Sequence, residues 1–363
     1  SNESNTGGPT ISGITTFSGT NFFVPPVGNT AQRPDNPQKG SIRFNTDTKH
    51  LEYFRGDTIG WSEVEASNEE LNGGHRGLTA GGNAPGVKNE IEYITISTFG
   101  NSQDFGNLTA ASTGKAGSAS RTRGIFNGGT TGSYQNEIDY VSIPTLGDAA
   151  DFGNMTITNG YRASLSSQIR AVTSAGANPL TDVIDYITIA QTGNAVDFGN
   201  LSANREKPVA FQSTTRGIFA GGTEPSSVNI IEYITIATTG NAIDFGDTRG
   251  VLSASAGCSN ATRGIIKERG SVSSPGYTNQ MSYLTIATKG NTLDFGDFTT
   301  NAGGIAPMAS PTRAVFAGGY GIPAFRNDIG SVEIATTGNA VDFGDMTYAA
   351  DHVAGCSNGH GGL

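Results

Sequence analysis

Short apolar runs of five or six residues, separated by turns rich in glycine and asparagine, recur along most of the chain at a nearly constant interval. The clearest copy reads Arg216-Gly217-Ile218-Phe219-Ala220-Gly221-Gly222, then Ile231-Glu232-Tyr233-Ile234-Thr235-Ile236, then Thr239-Gly240-Asn241 and Ala242-Ile243-Asp244-Phe245-Gly246. An Asp-Phe-Gly tripeptide begins at Asp104, Asp151, Asp197, Asp244, Asp294 and Asp342, giving spacings of 47, 46, 47, 50 and 48 residues. An arginine opening the first apolar run recurs in step, at Arg76, Arg123, Arg170, Arg216, Arg263 and Arg313. Two independent landmarks with one period define six copies of a single unit.

Each copy predicts strands only. The β-branched and aromatic run Ile231 to Ile236 favours a strand, and Gly-Asn between two such runs is a hairpin signal. In that run Ile231, Tyr233 and Thr235 share one face while Glu232, Ile234 and Ile236 share the other, so both faces are largely apolar. A sheet with one solvated face alternates more cleanly, whereas blades stacked around an axis bury both sides. The linking stretches Ala110 to Ser120 and Val251 to Ser259 are crowded with Ala, Ser and Gly and suit a fourth, innermost strand. The first copy lacks such a stretch, and Ala354-Gly355-Cys356-Ser357-Asn358 at the end of the chain matches Ala256-Gly257-Cys258-Ser259-Asn260. The C-terminal strand is therefore expected to complete the first blade and remove an open edge.

The Gly-Gly doublets at Gly81-Gly82, Gly128-Gly129, Gly221-Gly222 and Gly318-Gly319 resemble those of kelch-type propellers. The match is partial. Copy three has Ala175-Gly176 and copy five Arg269-Gly270, and the aromatic positions are taken by Tyr93, Tyr140, Tyr186, Tyr233, Tyr283 and the Phe of Asp-Phe-Gly. The expectation is an all-β chain: a six-bladed kelch-like β-propeller over residues 71–363, closed by the C-terminal strand and preceded by an extended arm and a small β-meander.

Composition narrows the partners. A net charge of −10 with scattered Lys and Arg argues against binding to a phosphate backbone. No run of 18 apolar residues is present, so no membrane insertion by a helix is expected, and the start Ser-Asn-Glu-Ser-Asn-Thr-Gly-Gly does not resemble a signal peptide. Cys258 and Cys356 occupy equivalent places in blades that are not neighbours, so both read as buried thiols of a protein folded in a reducing cytoplasm.

Residues 1–39 read as an extended arm and a Pro-rich linker. Residues 40–70 read as a three-stranded meander, carrying Phe44, Tyr53, Phe54 and Trp61 as attachment residues. The stretch Gly40-Ser41-Ile42-Arg43-Phe44-Asn45-Thr46-Asp47-Thr48 through Trp61, preceded by Ala31-Gln32-Arg33-Pro34, resembles a short module of structural and tail-fibre-like proteins of tailed phages, especially those of marine cyanobacteria. The repeat Gly-Asn-Ala-Val-Asp-Phe-Gly-Asp is similar to repeats of the same class. The resemblance implies a virion protein made in the host cytoplasm and present in several copies per particle. It would be joined to other virion proteins through residues 1–70 and would display the propeller towards a host cell-surface glycan or protein. Capsid-surface decoration, and a polysaccharide lectin or glycan-processing propeller, are the alternatives.

Catalytic signatures are missing from the sequence. Asp-Phe-Gly lacks the companion kinase motifs, no Gly-x-Ser-x-Gly elbow is present, and no pair of carboxylates stands apart for glycoside cleavage. Asn and Asp cluster at hairpin ends, as at Asn194 and Asp197, but without the oxygen density calcium needs. His50, His75, His352 and His360 lack metal-ligand spacing. No enzyme activity, cofactor or metal is expected. The six aspartates are expected to accept from turn amides or to pair with the six arginines. The loops after the Gly-Gly positions vary and share one rim; the fifth and sixth carry Tyr277, Tyr320, Phe325 and Arg326, of the type that anchors partner contacts.

Overall fold

The computed structural model describes residues 25–48, 50–64, 75–269 and 276–363. The arm expected over residues 1–22 lies outside them. The chain forms two compact units, residues 1–68 and 69–363.

In the smaller unit the meander forms as expected, from Ile42–Asn45, His50–Phe54 and Trp61–Val64. It gains a fourth strand from the stretch read as linker: Val27–Gly28 pairs in parallel with Ile42–Asn45, and Thr30–Gln32 forms a 3₁₀ turn capped by Asn29. The reason is a buried carboxylate. Glu52 is fully buried and receives Arg33 through Nε at 3.2 Å and Nη2 at 2.6 Å, Asn45 at 3.2 Å and Arg43 at 3.5 Å. The Arg33 guanidinium, aided by Asn45 and Arg43, holds the Glu52 carboxyl below its usual range. Arg33 thereby ties the Pro-rich stretch to the meander. Phe54 and Trp61 stack at 5.5 Å, and Arg43 lies 5.9 Å above Trp61.

The larger unit is all-β and propeller-like. Its described strands form six sheets of four main strands each and one two-stranded hairpin, Tyr320–Gly321 with Ala324–Phe325. Sheet 2 is typical: Ala116–Ala119, Arg123–Asn127, Glu137–Ser142 and Ala150–Asn154 pair antiparallel in sequence order. Sheets 3, 4, 5 and 6 begin with Ala163–Ser166, Val209–Gln212, Ala256–Ser259 and Ala306–Ala309. Sheet 1 takes its first strand from the far end of the chain: Ala354–Ser357 pairs antiparallel with Arg76–Ala80, which is followed by Glu90–Thr95 and Gln103–Asn107.

These first strands stand side by side in the order of the sheets, and Ala354–Ser357 neighbours both Ala306–Ala309 and Ala116–Ala119. Small residues are demanded there. A Cβ on Gly117 would lie 2.3 Å from the Gly355 carbonyl oxygen. At alternate joints a hydroxyl bridges both backbones: Ser166, Ser259 and Ser357 each accept the N–H and donate to the carbonyl of Ala119, Gln212 and Ala309 respectively. Cys258 and Cys356 are buried free thiols; burial raises the Cys356 pKa to about 12.

The repeated motif residues join one sheet to the next. In each Gly-Asn (or Gly-Asp) turn the glycine N–H donates to the Asp-Phe-Gly phenylalanine carbonyl of the preceding sheet at 2.7–3.0 Å, as Gly240 does to Phe198. The Asn or Asp side chain then accepts a backbone N–H of the same outer strand at 2.9–3.1 Å: Asp148 from Asn107, Asn194 from Asn154, Asn241 from Asn200, Asn291 from Asp247, Asn339 from Asp297 and Asn101 from Asp345. The Asp-Phe-Gly glycine makes room for this turn. Gly199 has φ +148°, and a Cβ there would sit 2.4 Å from the Gly240 carbonyl oxygen.

The expected Arg–Asp ion pairs are not what the arginines make. Arg216 donates to the carbonyls of Ile286 at 2.8 Å and Ala287 at 3.0 Å, on the next sheet, and stacks 4.5 Å above Tyr233. Arg76, Arg123, Arg170, Arg263 and Arg313 repeat this crossing. The six aspartates point to solvent; Asp151 accepts the Gly153 amide at 3.1 Å and Asp294 pairs with Arg249 at 2.5 Å. A fixed guanidinium satisfies two carbonyls left open at a turn, whereas the aspartate stays hydrated at lower cost.

A different acid is buried. Glu92, Asp139, Asp185 and Glu232 occupy one repeated position at 2%, 1%, 0% and 2% exposure. Each accepts from the preceding sheet, through Thr347, Thr109, Thr156 and the Ser202 amide. Three also hold a cation: Lys115 on Asp139 at 3.1 Å, Arg162 on Asp185 at 2.9 Å, and Arg205 on Glu232.

The last residues fold across one end of the first strands. His360 Nε2 donates to the Ala119 carbonyl at 2.8 Å and approaches Ser166 Oγ at 3.2 Å. Its Nδ1 accepts from Gln212 at 2.7 Å and Gly362 N–H at 3.1 Å. Two donors on Nδ1 fix the neutral Nε2-protonated ring, and burial lowers its pKa from 6.5 to about 4. Between those values the unfolded chain binds more protons than the folded one, so stability rises with pH. The contribution is complete above pH 6.5, and about 3 kcal/mol is lost as pH falls towards 4. His360→Gln should flatten this limb in urea melts run between pH 4 and 7. Gly199→Val is expected to cost at least about 2 kcal/mol in the same assay, from strain and collision. Gly250→Ala, with nothing within 4 Å of its Cβ, should stay within about 0.5 kcal/mol of the parent.

Candidate functional site

The end of the sheets opposite the His360 turn gathers the variable loops. Each first strand runs antiparallel to the second, so the residues entering the first strand lie beside those leaving the second. Isolated bridges record the meeting: Thr113 with Thr130, Gly160 with Ala177, Glu206 with Thr223, Gly303 with Tyr320, and Asn83 with Asp351.

The residues that follow these entry positions, together with Ala254, form a closed cycle of backbone hydrogen bonds. Tyr161 N–H donates to Gly114, Lys207 to Tyr161, Ala254 to Lys207, Gly304 to Ala254, His352 to Gly304 and Gly114 to His352, all at 2.7–3.2 Å. All six residues have positive φ, from +51° to +68°. Two are glycine, which suits that conformation. The other four, Tyr161, Lys207, Ala254 and His352, carry a Cβ and hold this conformation at a cost in backbone strain.

Those three side chains meet. The Tyr161 ring lies edge-on to His352 at 5.1 Å and to Tyr134 at 6.5 Å, and Lys207 Nζ stands 4.7 Å above it. A Cβ on Gly114 would lie 2.8 Å from the Tyr161 ring, so glycine there admits the ring over the cycle. Lys207 pairs with Glu206 at 3.3 Å and His352 with Asp351 at 3.0 Å. Burial, then Tyr134, Asp351 and Glu206, raise the Tyr161 pKa. Beneath them is a pocket of about 120 Å³ lined from all six sheets, with Lys115, Arg162, Lys207 and His352 in its wall and Ala254 and Gly304 opposite.

The rim residues expected from sequence form a second cluster. Tyr277 and Tyr320 meet at 5.8 Å and Tyr320 and Phe325 at 5.3 Å, all half-buried. Their cation is Arg269, 4.7 Å above Tyr277. Arg326 instead fixes the hairpin base through its backbone, donating to Gly319 at 2.8 Å and accepting from Ala350 at 3.1 Å. The part of the fifth loop over residues 270–275 lies outside the described residues. Phe44, Tyr53, Phe54 and Trp61 belong to the smaller unit.

Sequence reasoning passed over Tyr161 and Lys207 and treated His352 only as a metal candidate. A signal was present: aligned on the first strand, the copies place glycine at positions 114 and 304 where they place Tyr, Lys and His at 161, 207 and 352. No protein-family model matches the chain, and no curated protein matches it in sequence.

Lys207→Gly should relieve backbone strain and leave stability equal to the parent or up to about 1 kcal/mol higher, as chemical denaturation would register. A loss of more than 1 kcal/mol would mark Lys207 as structural.

Proposed function

We propose that the six sheets are blades of a closed six-bladed propeller, with Ala354–Ser357 closing the ring, and that the chain is a non-enzymatic structural protein of a phage virion. The observation that carries the architecture is the six-residue hydrogen-bonded cycle, which returns to its starting residue through every sheet in turn. A ring so fixed is a rigid platform, and the side chains that vary among copies stand on the face that bears the cycle.

The virion assignment is supported by the resemblance of residues 31–61 to a phage module and by the repeat itself. In this reading the protein is tail- or fibre-associated, residues 1–70 join it to other virion proteins, and the propeller face contacts the host surface, many weak contacts adding up through copy number. The Tyr277, Tyr320, Phe325 and Arg269 cluster offers aromatic anchors of the kind that dominate binding energy.

Immunogold labelling of intact particles tests the assignment. Label at the tail tip or fibres is the expected result, and fluorescently labelled protein should bind host cells. Label over the capsid would instead make the protein a decoration of the shell, and release of soluble sugar from host polysaccharide would make it an enzyme.

A further inference from the structure

The sixth sheet breaks the repeat on its outer wall. In the other five, the third strand places a tyrosine (Tyr93, Tyr140, Tyr186, Tyr233 or Tyr283) against the Asp-Phe-Gly phenylalanine at 5.8–6.2 Å. The repeated arginine of the same sheet stands 4.5–4.9 Å above that ring. In sheet 6 the third strand is Asp328–Glu333. Its register puts Ser331 opposite Val315, where sheet 5 has Tyr283 opposite Ile265. Arg313 and Phe343 are retained, but their own strand supplies no ring between them.

Two further positions change with it. The turn of sheet 1 carries Phe99 where the other turns carry Leu146, Thr192, Thr239, Lys289 and Thr337. This ring crosses the joint to lie 4.7 Å from Arg313 and 5.3 Å from Phe343, and it stays 58% exposed. Glu333 takes a position held elsewhere by Thr or Ser and fixes Arg313 through Nε at 3.2 Å and Nη2 at 3.1 Å. Phe99 does not fill the space that the tyrosine would. A pocket of about 180 Å³ remains on the outer wall, lined in part by Phe99, Arg313, Ser331, Glu333, Thr337 and Val341. A cavity of roughly 150 Å³ takes a benzene ring, so the room suffices for one aromatic side chain.

The five sister sheets show which group suits this slot. From them we infer that the pocket is a socket for a tyrosine side chain of a partner polypeptide. The incoming ring packs on Phe99, since aromatic pairs gain beyond their buried area, and beside a guanidinium that attracts ring faces. Arg313 is already held by Glu333 and by the Ile96 carbonyl at 2.9 Å, so little further ordering is needed. A polypeptide suits the site better than a free phenol because Phe99 and Val341 are 58% and 54% exposed at the pocket. Residues flanking the tyrosine would cover them and remove that apolar area from water. The socket asks only for a partner chain and is independent of the virion reading.

The test titrates the full chain, by calorimetry and saturation-transfer NMR, with blocked Ser-Val-Tyr-Val-Ser, the matching Ser-Val-Leu-Val-Ser and p-cresol. The tyrosine peptide should bind about fivefold or more tighter than the leucine peptide, and about threefold or more tighter than p-cresol. Ser331→Tyr restores the residue of the sister sheets, fills the socket from its own strand and should weaken the peptide by about tenfold or more. Phe99→Thr, at an exposed position where folding is not at stake, removes one wall and should weaken it by about threefold. Leu146→Thr makes the same kind of change at the next joint, where Tyr93 fills the slot, and should bind as the parent does. Equal affinity for the two peptides, no binding at about 20 mM, or undiminished binding by Phe99→Thr or by folded Ser331→Tyr would each overturn the socket. Binding of p-cresol as tightly as the tyrosine peptide would overturn the partner chain as its occupant.

Discussion

Everything in the larger unit depends on how one sheet is joined to the next. A four-stranded sheet of such short strands buries little by itself, and both of its faces are apolar, so its neighbours supply most of its core. Apolar contact is non-directional, however, and would let the sheets slide. The Gly-Asn turn prevents sliding: its amide and its side chain take a carbonyl and an N–H from the preceding outer strand, in the same register at all six joints. The Asp-Phe-Gly sequence is the other half of that joint. Its phenylalanine fills the core at 2–3% exposure, its glycine lets the turn approach, and its aspartate faces water.

This explains why the fold was legible and where reading stopped. Period, strand pattern and the return of Ala354–Ser357 to Arg76–Ala80 followed from the residues, because a joint repeated six times must leave a repeated signature. Partner choice did not follow. The arginine and aspartate share a period, which suggested a pair, but equal spacing along the chain carries no information about which neighbour a side chain crosses to. The arginine reaches carbonyls roughly 70 residues away, and the buried acid at Glu92, Asp139, Asp185 and Glu232 takes the role assigned to the exposed one. In the smaller unit Arg33 looked like part of a linker, since nothing in Arg-Pro-Asp-Asn-Pro announces that Glu52 needs a second cation.

The loop-bearing face was legible in part for a similar reason. Tyr277, Tyr320 and Phe325 stand out as aromatics in loops that vary among copies, and they do meet. Arg269 escaped notice because it ends a strand. Tyr161, Lys207 and His352 each fall in a stretch resembling a linker, and only the closing of the cycle brings them into contact. Their substitution for glycine is visible in the aligned copies, but its meaning requires the φ angle.

The two kinds of position also differ in how far the fold constrains them. At the joints every copy keeps nearly the same residues, because a change breaks two sheets at once. On the cycle the backbone alone makes the ring, through N–H and carbonyl groups that any residue except proline provides. Side chains there are free of the structural task apart from the strain of positive φ. Such a scaffold can vary its mouth and rim without altering its frame, and what varies here is a mouth that carries Tyr161, Lys207 and His352 where other copies carry glycine or alanine. Substitutions at those positions change the surface while leaving all six joints intact.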